Sequence, residues 1–294
     1  MFHKFAGKPL NAIDYLDDGT PIALTIDIDP KTGSAVFDFT KSGDEIYGNL
    51  NAPTAILYSA VLYVLRSLIN SDIPLNNGCL RPIEVLTRKG SVMNPSYEAA
   101  VVGGNVETTQ RIVDVTLLAF QAAAASQGTC NNFTFGSNDT KNGISFGYYE
   151  TICGGAGAGP TWDGQSVVQC HTTNTRITDV EVFEKRYPVI LHEYSIRSGS
   201  GGSGFHKGGD GVIRDIEFTF GLEVSFLMER RALAPFGLLG GQDGTRGINT
   251  LFRKREDGTF RKINLGGKCT VVVTAGDRVV IQTPGGGGYG AIEG

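Results

Sequence analysis

VILHEYSIR (189–197), GVIRDIEFTF (211–220), LEVSFLMERR (222–231), CTVVVT (269–274) and DRVVIQT (277–283) decide the fold class of this 294-residue chain. Apolar and polar residues alternate, or β-branched residues cluster, as strands require, and glycine turns separate the runs. The C-terminal half therefore reads as β-rich. Upstream, IALTIDID (22–29), the turn Asp29-Pro30-Lys31-Thr32-Gly33 and SAVFDF (34–39) read as a hairpin. Residues 53–69 read as a helix with Ile56, Ala60, Tyr63 and Leu68 on its apolar face and Pro53 in its first turn. Gly103-Gly104 and an N-capping Asn105 open a second helix, VETTQRIVDVTLLAFQAAAAS. Ile112, Val115, Leu118, Ala119 and Ala122 keep helical spacing there, and Gly128 stands at its end. Residues 131–161 read as a short strand or two between glycine loops. Thr178-Asp179-Val180-Glu181 has the pattern of a capping box opening a short helix that Pro188 stops. No Ser/Pro-rich linker and no fixed-period repeat divides the chain. The expectation is one α+β unit: a few helices in the N-terminal half packed on mixed or antiparallel sheets, then the β-rich half.

Composition narrows the function. Lys and Arg number 26 against 30 Asp and Glu, a formal charge of −4. No basic excess points to nucleic acid or an anionic membrane. No apolar run reaches the ~18 residues of a membrane span. The five cysteines form no CxxC pair, and their odd number argues against a disulfide framework, so a reducing cytoplasm fits best. No metal-ligand spacing is present. Glycine, at 41 of 294 residues, is about twice its average usage of ~7%. It clusters at 103–104, 154–159, 199–211, 237–247 and 285–290, which reads as rigid turns shaping a polar cavity. Gly199, Gly201 and Gly204, and again Gly285, Gly287 and Gly290, satisfy GxGxxG, but no helix pattern follows either, as a dinucleotide site needs. GxxxxGK[ST] and GxSxG are absent.

Two polar clusters are candidate sites. In Cys170-His171-Thr172-Thr173-Asn174-Thr175-Arg176-Ile177-Thr178-Asp179, His171 suits proton transfer and Arg176 has the planar fork that holds a carboxylate or phosphoryl group, with Asp179 orienting one of them. A loop that satisfies its own backbone reads the same pattern equally well. Glu107, Gln110, Arg111 and Asp114 share one helical face after Gly103-Gly104-Asn105, the arrangement of an anion site or of a solvated, ion-paired surface.

The motifs together carry a resemblance. GNLNAP (48–53), DIPLNNGCLRPIEV (72–85), AAVVGGNVETTQRIVD (99–114), ASQGTCNNFTFG (125–136), YYETICGGAGAGP (148–160), HTTNTRITDVEVFEKRYP (171–188), GSGGSGFHKGGDGVIR (199–214), ERRALAPFGLLGG (229–241) and TPGGGGYG (283–290) follow the order of the B-type region of hydantoinases and 5-oxoprolinases. The chain resembles the C-terminal part of that region over residues 1–294. The resemblance implies ATP-dependent ring opening of 5-oxo-L-proline to L-glutamate, in glutathione metabolism, or of a related hydantoin or cyclic amide. It places ATP and Mg on a partner A-type ATPase domain or subunit, in an oligomeric cytoplasmic enzyme. Alternatives are a subunit of an ATP-dependent ketone carboxylase, and a non-catalytic assembly fragment. The half of the region that carries metal-binding His and Asp in related carboxylases has no counterpart before residue 20, so no metal ligand is assigned. The expected catalytic residues are His171, Asp179 and Glu107. The expected substrate-binding residues are Arg176, Asn174, Asn105, Gln110 and Arg111.

Overall fold

The computed structural model describes residues 2, 5, 10–69, 71–139 and 144–292. The chain forms two compact units, Met1–Ala124 and Ala125–Gly294. Their boundary lies in the alanine run after the second helix, where nothing in the composition marks a linker.

The first unit carries a mixed four-stranded sheet. Strands β1 (Leu10–Tyr15), β2 (Pro21–Ile28) and β3 (Ala35–Asp38) are antiparallel neighbours, and β4 (Ile83–Leu86) adds on parallel to β3. The hairpin closes as its sequence predicts. Asp29 accepts the Lys31 amide at 2.8 Å, and Gly33 takes a positive φ of 71°. Leu24, Ile26, Ile28, Ala35 and Phe37 alternate inward and are buried. Helices α1 (Thr54–Leu68) and α2 (Thr109–Ala119) pack in this unit. The buried face of α1 is Leu57, Ala60, Val61, Val64 and Leu65. That corrects the expected Ile56, Ala60, Tyr63 and Leu68 face: 57, 60, 61, 64 and 65 form the denser i, i+3, i+4 stripe.

Helix α2 departs further from its sequence reading. Asn105 does not cap it. A π-helical turn, Gly104–Thr108, precedes α2, and the position before that turn is Gly103, without a side-chain cap. The helix stops at Ala119, well before Gly128. The alanines after it have high helix propensity, yet Ala125 and Gln127 donate their amides to Phe236 (3.0 Å) and Gly155 (2.8 Å) instead.

The second unit holds two antiparallel sheets. One has the order β11 (Phe260–Asn264), β10 (Ile248–Lys254), β13 (Arg278–Gln282), β8 (Gly211–Phe218), β7 (Val189–Arg197). The other runs β12 (Lys268–Val273), β9 (Leu222–Leu227), β5 (Asn132–Asp139), β6 (Ile144–Thr151). Phe133, Phe135, Val224 and Phe226 of one sheet meet Val212, Ile216, Phe218, Val279 and Ile281 of the other in a single core. The Phe135 and Phe218 rings lie 5.7 Å apart across it. Helix α3 (Val180–Arg186) adds Phe183. Its cap is Asp179, whose Oδ1 accepts the amides of Glu181 (3.0 Å) and Val182 (3.2 Å). The expected capping box is not used, because the Thr178 hydroxyl bonds Tyr148 instead.

The glycine clusters of this unit are not a set of turns around a cavity. Segments near 155–158, 200–209, 236–242 and 285–290 lie side by side, outside helix and strand, joined by backbone bonds. Gly286 donates to Gly209 (2.9 Å), Gly209 to Ala156 (2.9 Å), Gly202 to Gly286 (2.8 Å) and Gly288 to Gln242 (2.9 Å). A Cβ on Gly286 would stand 2.0 Å from the Ala156 carbonyl oxygen, and one on Gly208 would stand 2.0 Å from that of Gly286. Backbone packs on backbone where a side chain has no room, and this explains most of the glycine excess.

Candidate functional site

In the first unit, Gly104 must be glycine because a Cβ there would meet the Asn51 carbonyl oxygen at 2.4 Å. That contact seats the π-helical turn, a feature often found at functional sites. The Thr108 hydroxyl holds the turn to the Leu50 carbonyl. Glu107, Gln110, Arg111 and Asp114 are then fully buried, so the solvated-face reading is excluded. Arg111 Nη1 lies 3.1 Å from Asp14 Oδ2 and 3.9 Å from Asp114 Oδ2. Burial raises the Asp14 pKa against the opposing pull of Arg111. Asn105 is exposed and stands apart from this buried group.

The second unit anchors the His171–Asp179 loop from below. The hydroxyls of Thr175 and Thr151 are bonded, and Gln169 Nε2 lies 3.2 Å from the Thr151 hydroxyl. Tyr148 donates to Glu150 Oε2 at 2.6 Å and lies 3.0 Å from the Thr178 hydroxyl. Glu150 in turn receives Arg214 Nε at 2.8 Å and Nη2 at 3.3 Å. The Arg214 guanidinium sits 5.0 Å from the Phe183 ring centre and 5.4 Å from that of Tyr194. Burial pushes the Glu150 carboxyl above its ordinary range despite Arg214, and raises Tyr148, Tyr194 and the Cys153 thiol as well. On this support, Asn174 and Arg176 are exposed, and His171 is partly buried at a φ of 55°. Asp179 spends its carboxylate on the α3 amides. The expected residues thus divide: His171, Asn174, Arg176 and Asp179 lie on one loop of the second unit, and Asn105, Glu107, Gln110 and Arg111 on one turn and helix of the first.

Sequence reading missed two groups. Arg214 carried a signal, being a charge at an inward position of an apolar strand; Glu150 did not stand out. The other group joins ASQGTCNN to ERRALAPF. Gln127 Oε1 accepts Asn131 Nδ2 at 2.8 Å, and Asn131 Oδ1 accepts Arg231 Nη1 at 2.6 Å. Arg231 also reaches Asn249 at 3.1 Å, and Lys268 pairs with buried Glu229. Asn131 and Arg230 both hold positive φ, 47° and 62°, a conformation that costs about 1–3 kcal/mol in a non-glycine residue and concentrates at functional sites. Among the described residues, no three His, Cys, Asp or Glu side chains converge as a metal site requires. Within the two glycine runs, neighbouring backbone leaves a Cβ no room at Gly201, Gly285 or Gly287. No helix of the described residues is long and apolar enough to cross a membrane.

Two sheet-bearing units, a latched polar loop and a glycine backbone bundle make up this α+β protein. Residues 1–292 match the Hydantoinase B/oxoprolinase family, and the chain belongs to it. It is 58% identical to a protein of Schizosaccharomyces pombe over 97% of this chain and 23% of that protein. It is 57% identical to 5-oxoprolinase 1 of Arabidopsis thaliana over 95% of this chain and 21% of that protein. The chain thus spans less than a quarter of the length of these relatives. Among solved structures, the ATP-dependent caprolactamase of Pseudomonas jessenii superposes with a TM-score of 0.82 at 21% identity, covering 97% of this chain and 52% of that one.

Proposed function

We propose that this chain is the C-terminal part of the B-type region of a 5-oxoprolinase-type enzyme, which opens 5-oxo-L-proline to L-glutamate at the expense of ATP in the cytoplasm. The supporting observation is the 57% identity to a 5-oxoprolinase over 95% of the chain. ATP and Mg belong to an A-type partner domain and supply activation of the ring carbonyl. This chain's own part is recognition and proton handling. Arg176 and Asn174, projecting from an anchored loop, hold the substrate carboxylate or phosphoryl oxygens. His171, on the same loop, manages the proton of the attacking water.

The test puts alanine at the position matching Arg176 in full-length 5-oxoprolinase 1 of Arabidopsis thaliana. ATP-dependent glutamate release from 5-oxoproline should fall about 30-fold or more in kcat/KM, the weight of about 2 kcal/mol for a lost charged contact. Unchanged turnover removes the assignment of Arg176. ATP use that depends on bicarbonate and a ketone, without ring opening, replaces the hydrolase by a carboxylase.

A further inference from the structure

We propose, resting on the binding role given to Asn174 and Arg176, that Tyr148 and Thr151 at the end of β6 position those two side chains through a pair of hydroxyl latches. Residues 173–179 lie outside helix and strand, and both ligand holders are exposed. Side chains on a loop hold a ligand well only where supporting contacts fix them. Here those contacts bracket Arg176. On one side, the Thr175 hydroxyl, between Asn174 and Arg176, bonds that of buried Thr151, and Gln169 Nε2 lies 3.2 Å from the Thr151 hydroxyl and 3.3 Å from that of Thr175. On the other side, the Thr178 hydroxyl lies 3.0 Å from that of Tyr148.

The second latch has a fixed direction. A phenol carries one proton. The 2.6 Å bond to Glu150 Oε2 takes it, and Arg214 holds that carboxylate in place with bonds of 2.8 Å and 3.3 Å. The Tyr148 oxygen is left to accept, so Thr178 donates to it. Arg214 stands on β8, in the sheet opposite β6, so the loop takes its position from both sheets of this unit. The Tyr148 ring also packs on Phe135, Tyr187 and Phe183, with centres 4.8 Å, 4.8 Å and 5.0 Å away. Phenylalanine keeps these ring contacts, so its substitution there isolates the hydroxyl.

The test measures KM and kcat for 5-oxoproline separately in full-length 5-oxoprolinase 1 of Arabidopsis thaliana, substituted at the matching positions. Phe at the Tyr148 position and Val at the Thr151 position should each raise KM about fivefold or more and leave kcat within about twofold, as a displaced binding group does. Val at the Thr178 position should do the same, and Ser there, which keeps the hydroxyl, should return KM to that of the unsubstituted enzyme. A purely structural role would lower the melting temperature and the active fraction without moving KM; that result, or equal KM for Ser and Val at the Thr178 position, overturns the proposal. Unchanged turnover with Ala at the Arg176 position removes the binding role itself. A large loss there, with KM unmoved in the latch variants, removes only the latches. Hydrogen exchange reads the latches without catalysis: in the 294-residue chain, Tyr148→Phe and Thr151→Val should each speed the amides of 173–178 about tenfold and leave those of β7 and β8 unchanged. Unaltered exchange of the loop also overturns the proposal.

Discussion

Glu150 and Arg214 are charges in a core, and their values depend on each other. Taking two ions out of water costs several kcal/mol each, which their bond offsets only while both are present. Arg214→Met should therefore destabilise the protein by about 3–5 kcal/mol in chemical denaturation, and adding Glu150→Gln should restore much of the loss. The raised Glu150 pKa also sets a pH dependence. The native state holds this proton more tightly than the unfolded chain, so the group contributes stability below the ordinary carboxylate value of about 4.3 and loses it as pH rises through the raised native value. The stability of the wild type relative to Glu150→Gln should fall across that window; a constant difference would contradict it. Asp179→Ala should cost about 1 kcal/mol, read by the same denaturation, because the carboxylate caps α3. The sequence reading gave the cap to Thr178 and made Asp179 orient His171 or Arg176, the ligand holder. It could not mark Glu150, since its charge partner Arg214 comes from β8, 64 positions away.

Elements defined by local periodicity were legible. β7, β8, β9, β12 and β13 fall where alternation places them, and the first hairpin keeps its predicted turn. The glycine bundle was not, because its bonds join segments far apart in sequence and it has no period. Two substitutions separate its glycines from ordinary ones. Gly286→Ala would press Cβ to 2.0 Å from the Ala156 oxygen, backbone that cannot swing aside, and should cost more than about 4 kcal/mol or prevent cooperative melting. Gly147→Ala, with nothing within 4 Å, should stay within about 0.5 kcal/mol. Hydrogen exchange gives an independent measurement: the amides of Gly202, Gly209, Gly286 and Gly288 should be protected like those of strands, although they belong to none. Helix α2 ends early for a local reason: Gln121 takes a positive φ of 50°, and the amides of Gln121 and Ala122 turn back to Leu118 (2.9 Å) and Leu117 (3.0 Å).

At the scale of the molecule, the reading of a chain that supplies recognition but no nucleotide site makes a direct prediction. The 294-residue protein, given ATP, Mg and 5-oxoproline, should release no glutamate by itself. Turnover by the isolated chain would place the nucleotide site within it. By itself, the sequence determined the family, the α+β class, most strands and the identity of the polar loops, since these follow from residue types at short spacing. Only the tertiary structure decided that Glu107, Gln110, Arg111 and Asp114 are buried, that Asn174 and Arg176 face outward, and that the glycines pack backbone against backbone. Burial and close approach are properties of residue pairs distant in the chain, and no local pattern encodes which surface another segment will cover.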